Sequence, residues 1–192
     1  MVPASMAADG KVTSARVWAL TLERRFSDGL QELQQFRGEV LYAYEGWFPK
    51  AFLEGIMYSN LGDESKAQTA FEQARVVAER LVSESPDDAP RRAMMGQVLA
   101  GLGQKDAAIA EGKHAVALLP ESEDAFGGPL VTGSLAQIYA WVGEPDEAFR
   151  LLAHLLEVPN GLTIPLLKLD PAWDPLRKDH RFQQLIDQHS AR

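Results

Sequence analysis

Four histidines, His114, His154, His180 and His189, and no cysteine bound the chemistry open to this 192-residue chain. Without thiols there is no disulfide, thiolate metal site or cysteine nucleophile. A histidine metal site needs further ligands converging on one point, and no His-Glu-x-x-His spacing is present. His114 and His154 occupy equivalent places in a repeated pattern, on a face expected to be solvated. Gly112-Lys113 has the end of a phosphate-binding loop. However, Ala107 stands where that loop's first glycine belongs, no Ser or Thr follows, and the pair falls mid-helix. Glu121, Glu123 and Asp124 share one loop, where carboxylates are ordinarily solvated. Ser134 lies in a helix without a Gly-x-Ser-x-Gly elbow. No acyl-transfer, phosphoryl-transfer or metal-assisted reaction is assembled from these groups. The expectation is a protein that is not an enzyme and carries no metal or cofactor.

The elements that would have to position any site are written in a repeat. Gly55, Tyr58, Leu61-Gly62, Ala67, Phe71 and Ala74 set a pattern. Gly96, Leu99, Leu102-Gly103, Ala108, Gly112 and Ala115 restate it, and Ala136, Tyr139, Val142-Gly143, Ala148, Leu152 and Leu155 state it again. Counted from Gly62, Gly103 or Gly143, the offsets are −7, −4, −1, +5, +9 and +12. Small residues at −7 and +5 allow two helices to approach closely, large apolar residues at −4 and +9 fill the adjoining space, and the glycine ends the first helix. A degenerate copy precedes these, with Arg24 in the glycine slot and Val17, Leu20, Gly29, Leu33 and Phe36 at the other offsets.

The predicted helices run over about 11–24 and 27–37, 48–61 and 64–84, 88–102 and 105–119, and 130–142 and 145–157. Residues 1–10 read as a flexible tail, and Ser27-Asp28 as an N-cap. Residues 38–47 form an aromatic connector expected to lie against the first pair. Ser85-Pro86 stops the long second helix, and Glu121–Pro129 is a loop. Pro145 suits a first helical turn. From 161 the repeat stops. Leu162–Leu169 reads as an extended strap, Asp170-Pro171 and Asp174-Pro175 as two cap-and-start pairs, and about 179–189 as a capping helix with Phe182, Leu185 and Ile186 on one face.

Composition narrows the partners. The net charge of −8 and pI near 5.0 supply no basic stripe for a phosphate backbone, so nucleic acid is excluded as the main partner. Arg24-Arg25 and Arg91-Arg92 read as solvated pairs. Met1–Gly10 lacks a signal-peptide pattern, and no apolar run reaches the roughly 20 residues that span a bilayer. The expected location is the cytoplasm, with no membrane partner.

The offsets resemble those of the tetratricopeptide repeat, whose unit is about 34 residues. Gly62, Gly103 and Gly143 are 41 and 40 residues apart, a spacing closer to a HEAT-like array. The long second helix and the Glu121–Pro129 loop account for the excess, and Pro120 stands at the family's helix-ending proline. The resemblance implies an all-α fold: a right-handed superhelical solenoid of about four antiparallel helix pairs over 11–160, closed by a non-repeat strap and capping helix over 161–192. The ending Leu167-Lys168-Leu169-Asp170-Pro171-Ala172-Trp173-Asp174-Pro175-Leu176-Arg177, with Asp179, Arg181-Phe182 and Leu185, is similar to the C-terminal repeat region of bacterial multidomain signalling proteins. In those proteins such repeats follow a kinase, a cyclase or a winged-helix domain.

Carried over residue by residue, the family's concave groove implies Phe52, Ile56, Ser59 and Asn60 in one unit, Ala93, Gln97, Ala100 and Gly101 in the next, and Gly133, Gln137, Ala140 and Trp141 in the third. Phe52, Ala93 and Gly133 replace the cationic or amide residues that clamp a peptide carboxylate in some members, so chaperone-tail binding is disfavoured. Gln97 and Gln137 suit a peptide backbone, and Trp141 is either an anchor for a partner or packed on the C-terminal strap or the next helix. The resulting expectation is a protein-protein interaction scaffold taking a peptide or a partner helix. The alternatives are a sensory or regulatory tail of a signalling enzyme or transcription regulator and, last, an unrecognised enzyme whose site is assembled from distant residues. Trp47, Phe52 and the connector suggest an apolar patch for self-association.

Overall fold

In the computed structural model, which describes residues 10–43, 46–159 and 162–190, nearly all regular structure is helical. The helices are α1 (Gly10–Leu22), α2 (Phe26–Gln35), α3 (Lys50–Asn60), α4 (Glu64–Glu84), α5 (Ala89–Gly101), α6 (Lys105–Leu118), α7 (Gly127–Trp141), α8 (Pro145–Leu155), α9 (Ile164–Leu169) and α10 (His180–Ser190). A 3-10 helix, Pro171–Leu176, separates α9 from α10, and a hairpin of β1 (Val40–Ala43) and β2 (Gly46–Pro49) precedes α3. Of the expected tail over residues 1–10, residues 1–9 lie outside the described residues and Gly10 belongs to α1. Among them, no helix is long and apolar enough to cross a membrane.

Each helix pair turns in the same way. Gly62, Gly103 and Gly143 have φ of +76°, +71° and +77°, and a Cβ built at any of them would meet only open space. Conformation, and not packing, therefore requires glycine here. The amides of Asp63, Gln104 and Glu144 bond back to the carbonyls of Tyr58, Leu99 and Tyr139 at 2.9 Å, the six-to-one bond of a helix-ending glycine motif. Arg24, at φ +57°, makes the degenerate copy: the Arg25 amide bonds the Leu20 carbonyl at 2.8 Å.

The small positions bring the paired helices together. A Cβ on Gly55 would sit 2.7 Å from the Phe71 ring, and one on Gly96 would be 3.0 Å from the Ala108 carbonyl oxygen. Ala136 and Ala148 are completely buried. Gly112 lacks the bulk usual at +9, and the Ile138 and Leu135 side chains of α7 fill its place, each 2.8 Å from a Cβ built there.

The pairs α1–α2, α3–α4, α5–α6 and α7–α8 pack in succession. Asp63 and Asp88 cap α4 and α5, accepting from the Lys66 and Arg91 amides at 3.2 and 3.0 Å. One core joins Phe52, Phe71, Met94 and Val98. A second joins Tyr139, Leu152 and Leu155 to Leu167, Trp173, Leu176, Phe182, Leu185 and Ile186, so the C-terminal segment covers the last pair.

Four local expectations change. The connector is a β-hairpin, and Leu41 buries against Val17, Leu33 and Phe36 of the first pair. Phe26 starts α2 ahead of Ser27-Asp28, with no side-chain cap, and the Asp28 carboxylate binds Arg25 at 2.7 Å. Gly127-Gly128-Pro129 belongs to α7 because Asp124 accepts from the Phe126 and Gly127 amides at 2.9 and 2.8 Å, which starts the helix there. Residues 164–169 are helical: Thr163 caps the turn by accepting from the Leu166 amide at 3.4 Å, and Pro165 fits its first turn.

Candidate partner-binding face

The first helices α3, α5 and α7 are neighbours, α5 packing against α3 on one side and α7 on the other. Equivalent residues therefore meet. Gln97 of α5 and Gln137 of α7 occupy the same place relative to Gly103 and Gly143, and the Gln97 amide donates to the Gln137 carbonyl oxygen at 2.5 Å. Gln97 is buried, so this bond satisfies an amide that would otherwise lose its water. The two glutamines proposed for a peptide backbone are turned first to each other.

Trp141 ends α7 half-buried. Its ring lies 6.3 Å from that of Phe52, and its Nε1 donates to the Ala172 carbonyl at 3.0 Å. Of the two roles open to Trp141, the structure places it on the C-terminal segment. Phe52 is 2% exposed and packs against Phe71 and Phe48 at ring separations of 6.0 and 6.5 Å. It cannot form part of an exposed self-association patch. Trp47, the other member of that patch, is half-buried between Tyr42 and the Arg91 guanidinium. Ala93 and Ala100 are buried, and Gly101 holds its backbone where a Cβ would come 2.8 Å from Phe71. Ala140 is also buried, whereas Gly133 borders open space. Ile56 is half-buried on the Phe52 cluster, Ser59 and Asn60 are exposed, and the Asn60 amide donates to the Ile56 carbonyl at 2.9 Å. The open part of the face is thus the end of α3.

The residues missed from sequence are those that draw the C-terminal segment across to the first helix pair. Asp174 is held from two sides: both oxygens receive the Arg24 guanidinium at 2.7 Å, and Arg177 Nε donates at 2.5 Å. The Arg24 hydrogen bond, above all, holds the Asp174 carboxyl below its usual range. Asp170 caps the 3-10 helix by accepting from the Ala172 amide at 2.9 Å, and burial pushes its carboxyl up. Only the first expected cap-and-start pair acts as one, since Asp174-Pro175 lies inside the 3-10 helix. The one sequence signal for the link was Arg24 itself, a charged residue in a glycine slot.

The potentially reactive groups stay apart. His154 Nε2 is 2.7 Å from Glu121, whose other oxygen accepts from the buried Thr132 hydroxyl at 2.9 Å. These bonds pin the 119–126 loop to α7 and α8, so Glu121 is not merely solvated. His114 is exposed on α6, His180 is exposed beside Asp179, and His189 bonds the Leu185 carbonyl within its own helix. Gly112-Lys113 is in the middle of α6, and the Ser134 hydroxyl donates to the Leu130 carbonyl at 3.3 Å. Among the described residues no three His, Asp or Glu groups converge as metal ligands. Comparison with protein-family models, curated proteins and solved structures finds no match for the chain.

Proposed function

We infer that this chain is a non-catalytic protein-protein interaction scaffold of the tetratricopeptide kind, working in the cytoplasm and taking a peptide or a single partner helix. One observation carries the reading. The same two-helix unit, closed by a left-handed glycine at φ between +71° and +77°, recurs three times with its first helices adjacent. Repetition of that kind builds a continuous face from equivalent positions, and in a right-handed superhelix such a face is concave. Ile56, Ser59 and Asn60 supply its open end. The Gln97–Gln137 pair and the Phe52–Trp141 contact form its floor, with backbone hydrogen bonding setting register and apolar contact supplying affinity.

Selection of displayed random 12-residue peptides against the chain tests this. Recovered peptides should bind Ser59→Arg at least tenfold more weakly and bind Glu72→Lys, on the second helix α4, unchanged. Failure to recover peptides, or equal sensitivity to both changes, would overturn the reading. A second reading, control of an effector domain joined to the chain, rests on the Leu167–Arg177 ending. An in-frame kinase, cyclase or winged helix upstream would favour it.

A further inference from the structure

Arg24 stands where the other three turns have glycine, and its φ of +57° strains a residue that carries a Cβ. What glycine could not supply there is the guanidinium. Its Nη1 and Nη2 donate to Oδ2 and Oδ1 of Asp174 at 2.7 Å. The second and third helix pairs lie between these residues in the stack, so the bond skips both. The strained turn is the one that ties the first pair to the segment covering the last.

Three features make this tie releasable. It is ionic and half-exposed, whereas among the described residues the buried apolar clusters stay on their own sides. Val17, Leu33 and Leu41 gather with Met57 of α3, while Trp173 and Leu176 belong with Tyr139 and Leu152. Asp174 also accepts from Arg177 Nε at 2.5 Å, so it keeps a partner when Arg24 leaves and the exposed guanidinium returns to water. Finally, α2 rests on α3 at Gly29, where a Cβ would come 2.9 Å from the Met57 sulfur. A bare glycine against a pliable methionine interlocks little and lets one helix slide on the other.

We propose that Arg24 and Asp174 form a latch with a closed and an open state, the structure showing the closed one. Opening moves α1–α2 away from the 3-10 helix and widens the approach to the ends of α3 and α5, which lie between the latched parts. Control of partner entry by this movement rests on the scaffold reading above; the latch itself does not. A half-exposed ion pair contributes a factor of roughly 1.5 to 5 to the closed-to-open ratio, enough to bias the stack and little enough to be reversed.

The chain has no cysteine, so dyes can be placed at Ser27→Cys on α2 and Lys178→Cys just after the 3-10 helix, both exposed. Single-molecule energy transfer in the full chain, without ligand, then reads the latch. The wild type should show a major short-distance and a minor long-distance population. Arg24→Gly, which keeps the turn, should raise the long-to-short ratio roughly 1.5- to 5-fold. Asp174→Asn should do the same, and the double variant should do no more than either alone. Raising salt from about 20 mM to about 1 M, where charges are screened within about 3 Å, should open the wild type and leave Arg24→Gly unmoved. A control pair that does not cross the latch, Ser65→Cys with Ser122→Cys, should stay constant throughout. A ratio unchanged in both single variants, a double variant that adds their effects, or a control pair that moves with the first would overturn the latch. Peptides recovered on the wild type should bind Arg24→Gly roughly 1.5- to 5-fold more tightly, as the open fraction rises. Equal affinity despite a changed distance would overturn control of partner entry. Recovery of no peptide counts against the scaffold reading, and the distance ratio still decides the latch.

Discussion

Arg24 offers a test in which backbone and side chain push in opposite directions. Its φ of +57° is the only left-handed value held by a non-glycine among the described residues, and its guanidinium meets both oxygens of Asp174 at 2.7 Å. The left-handed conformation costs a residue with a Cβ roughly 1–2 kcal/mol. Glycine relieves that cost but gives back about 0.4–1 kcal/mol through the freedom of the unfolded chain. The ion pair is half-exposed, with side-chain exposures of 46% and 35%, so it contributes only about 0.2–1 kcal/mol. Arg24→Gly should therefore leave stability within about 0.5 kcal/mol of wild type. Arg24→Ala keeps the strain, loses the pair and should cost up to about 1 kcal/mol more than glycine. Urea unfolding followed by circular dichroism resolves this difference as a midpoint shift of about 0.5 M. If Arg24→Gly destabilises as much as Arg24→Ala, the turn does not share the energetics of Gly62, Gly103 and Gly143, and the fourth repeat is one in appearance only.

The Ser14 hydroxyl is buried with no hydrogen-bond partner among the described residues, so Ser14→Ala should stabilise by about 1 kcal/mol and raise Tm by about 2–4 °C in a thermal melt. Gln137→Ala removes the partner of the buried Gln97 amide and should cost about 1–3 kcal/mol, whereas Gln137→Glu, which keeps an acceptor, should cost less in the same urea assay. Acid should weaken the fold through carboxylates held below their unfolded value of about 3.9, among them Asp174, chiefly by Arg24, and Asp179, brought to about 2 by Arg181. Their stabilisation is present above about pH 4 and is lost as pH falls through the folded values, so Asp174→Asn should flatten the urea midpoint between pH 4 and pH 2. Asp170 works in the other direction. Burial raises its carboxyl, the folded state holds the proton more tightly, and Asp170→Asn should steepen the acid loss.

The helix pairs were legible because their determinants are local. A glycine at each turn, small residues at −7 and +5 and caps such as Asp63 and Asp88 act within a few residues, and α4 spans the expected Glu64–Glu84. What was misread depended on distant partners. The hairpin forms because Leu41 finds a buried place beside Val17 and Leu33, and no strand periodicity four residues long announces that. Pro165 inside an apolar stretch read as extended, yet a capped first turn accepts proline readily, and Leu167 is held helical by its burial against the last pair.

The face meant for a partner shows a sharper limit. Assigning Gln97, Gln137, Phe52 and Trp141 to a groove treats each as a position on its own helix, free to meet a ligand. Side-by-side first helices bring equivalent residues within reach of each other, so the two glutamines satisfy one another. Superposed on this is the link between the ends of the chain. Arg24 and Asp174, 150 residues apart, draw the 3-10 helix toward the first turn, and Ala172 there takes the Trp141 N–H. A ligand approaching Trp141 must offer more than the bond already made to the C-terminal segment, whereas Ser59 is exposed and the exposed Asn60 amide is bonded only within its own helix, to the Ile56 carbonyl. For the scaffold proposed above, that difference in cost, more than residue type, is the reason to expect recognition at the end of α3.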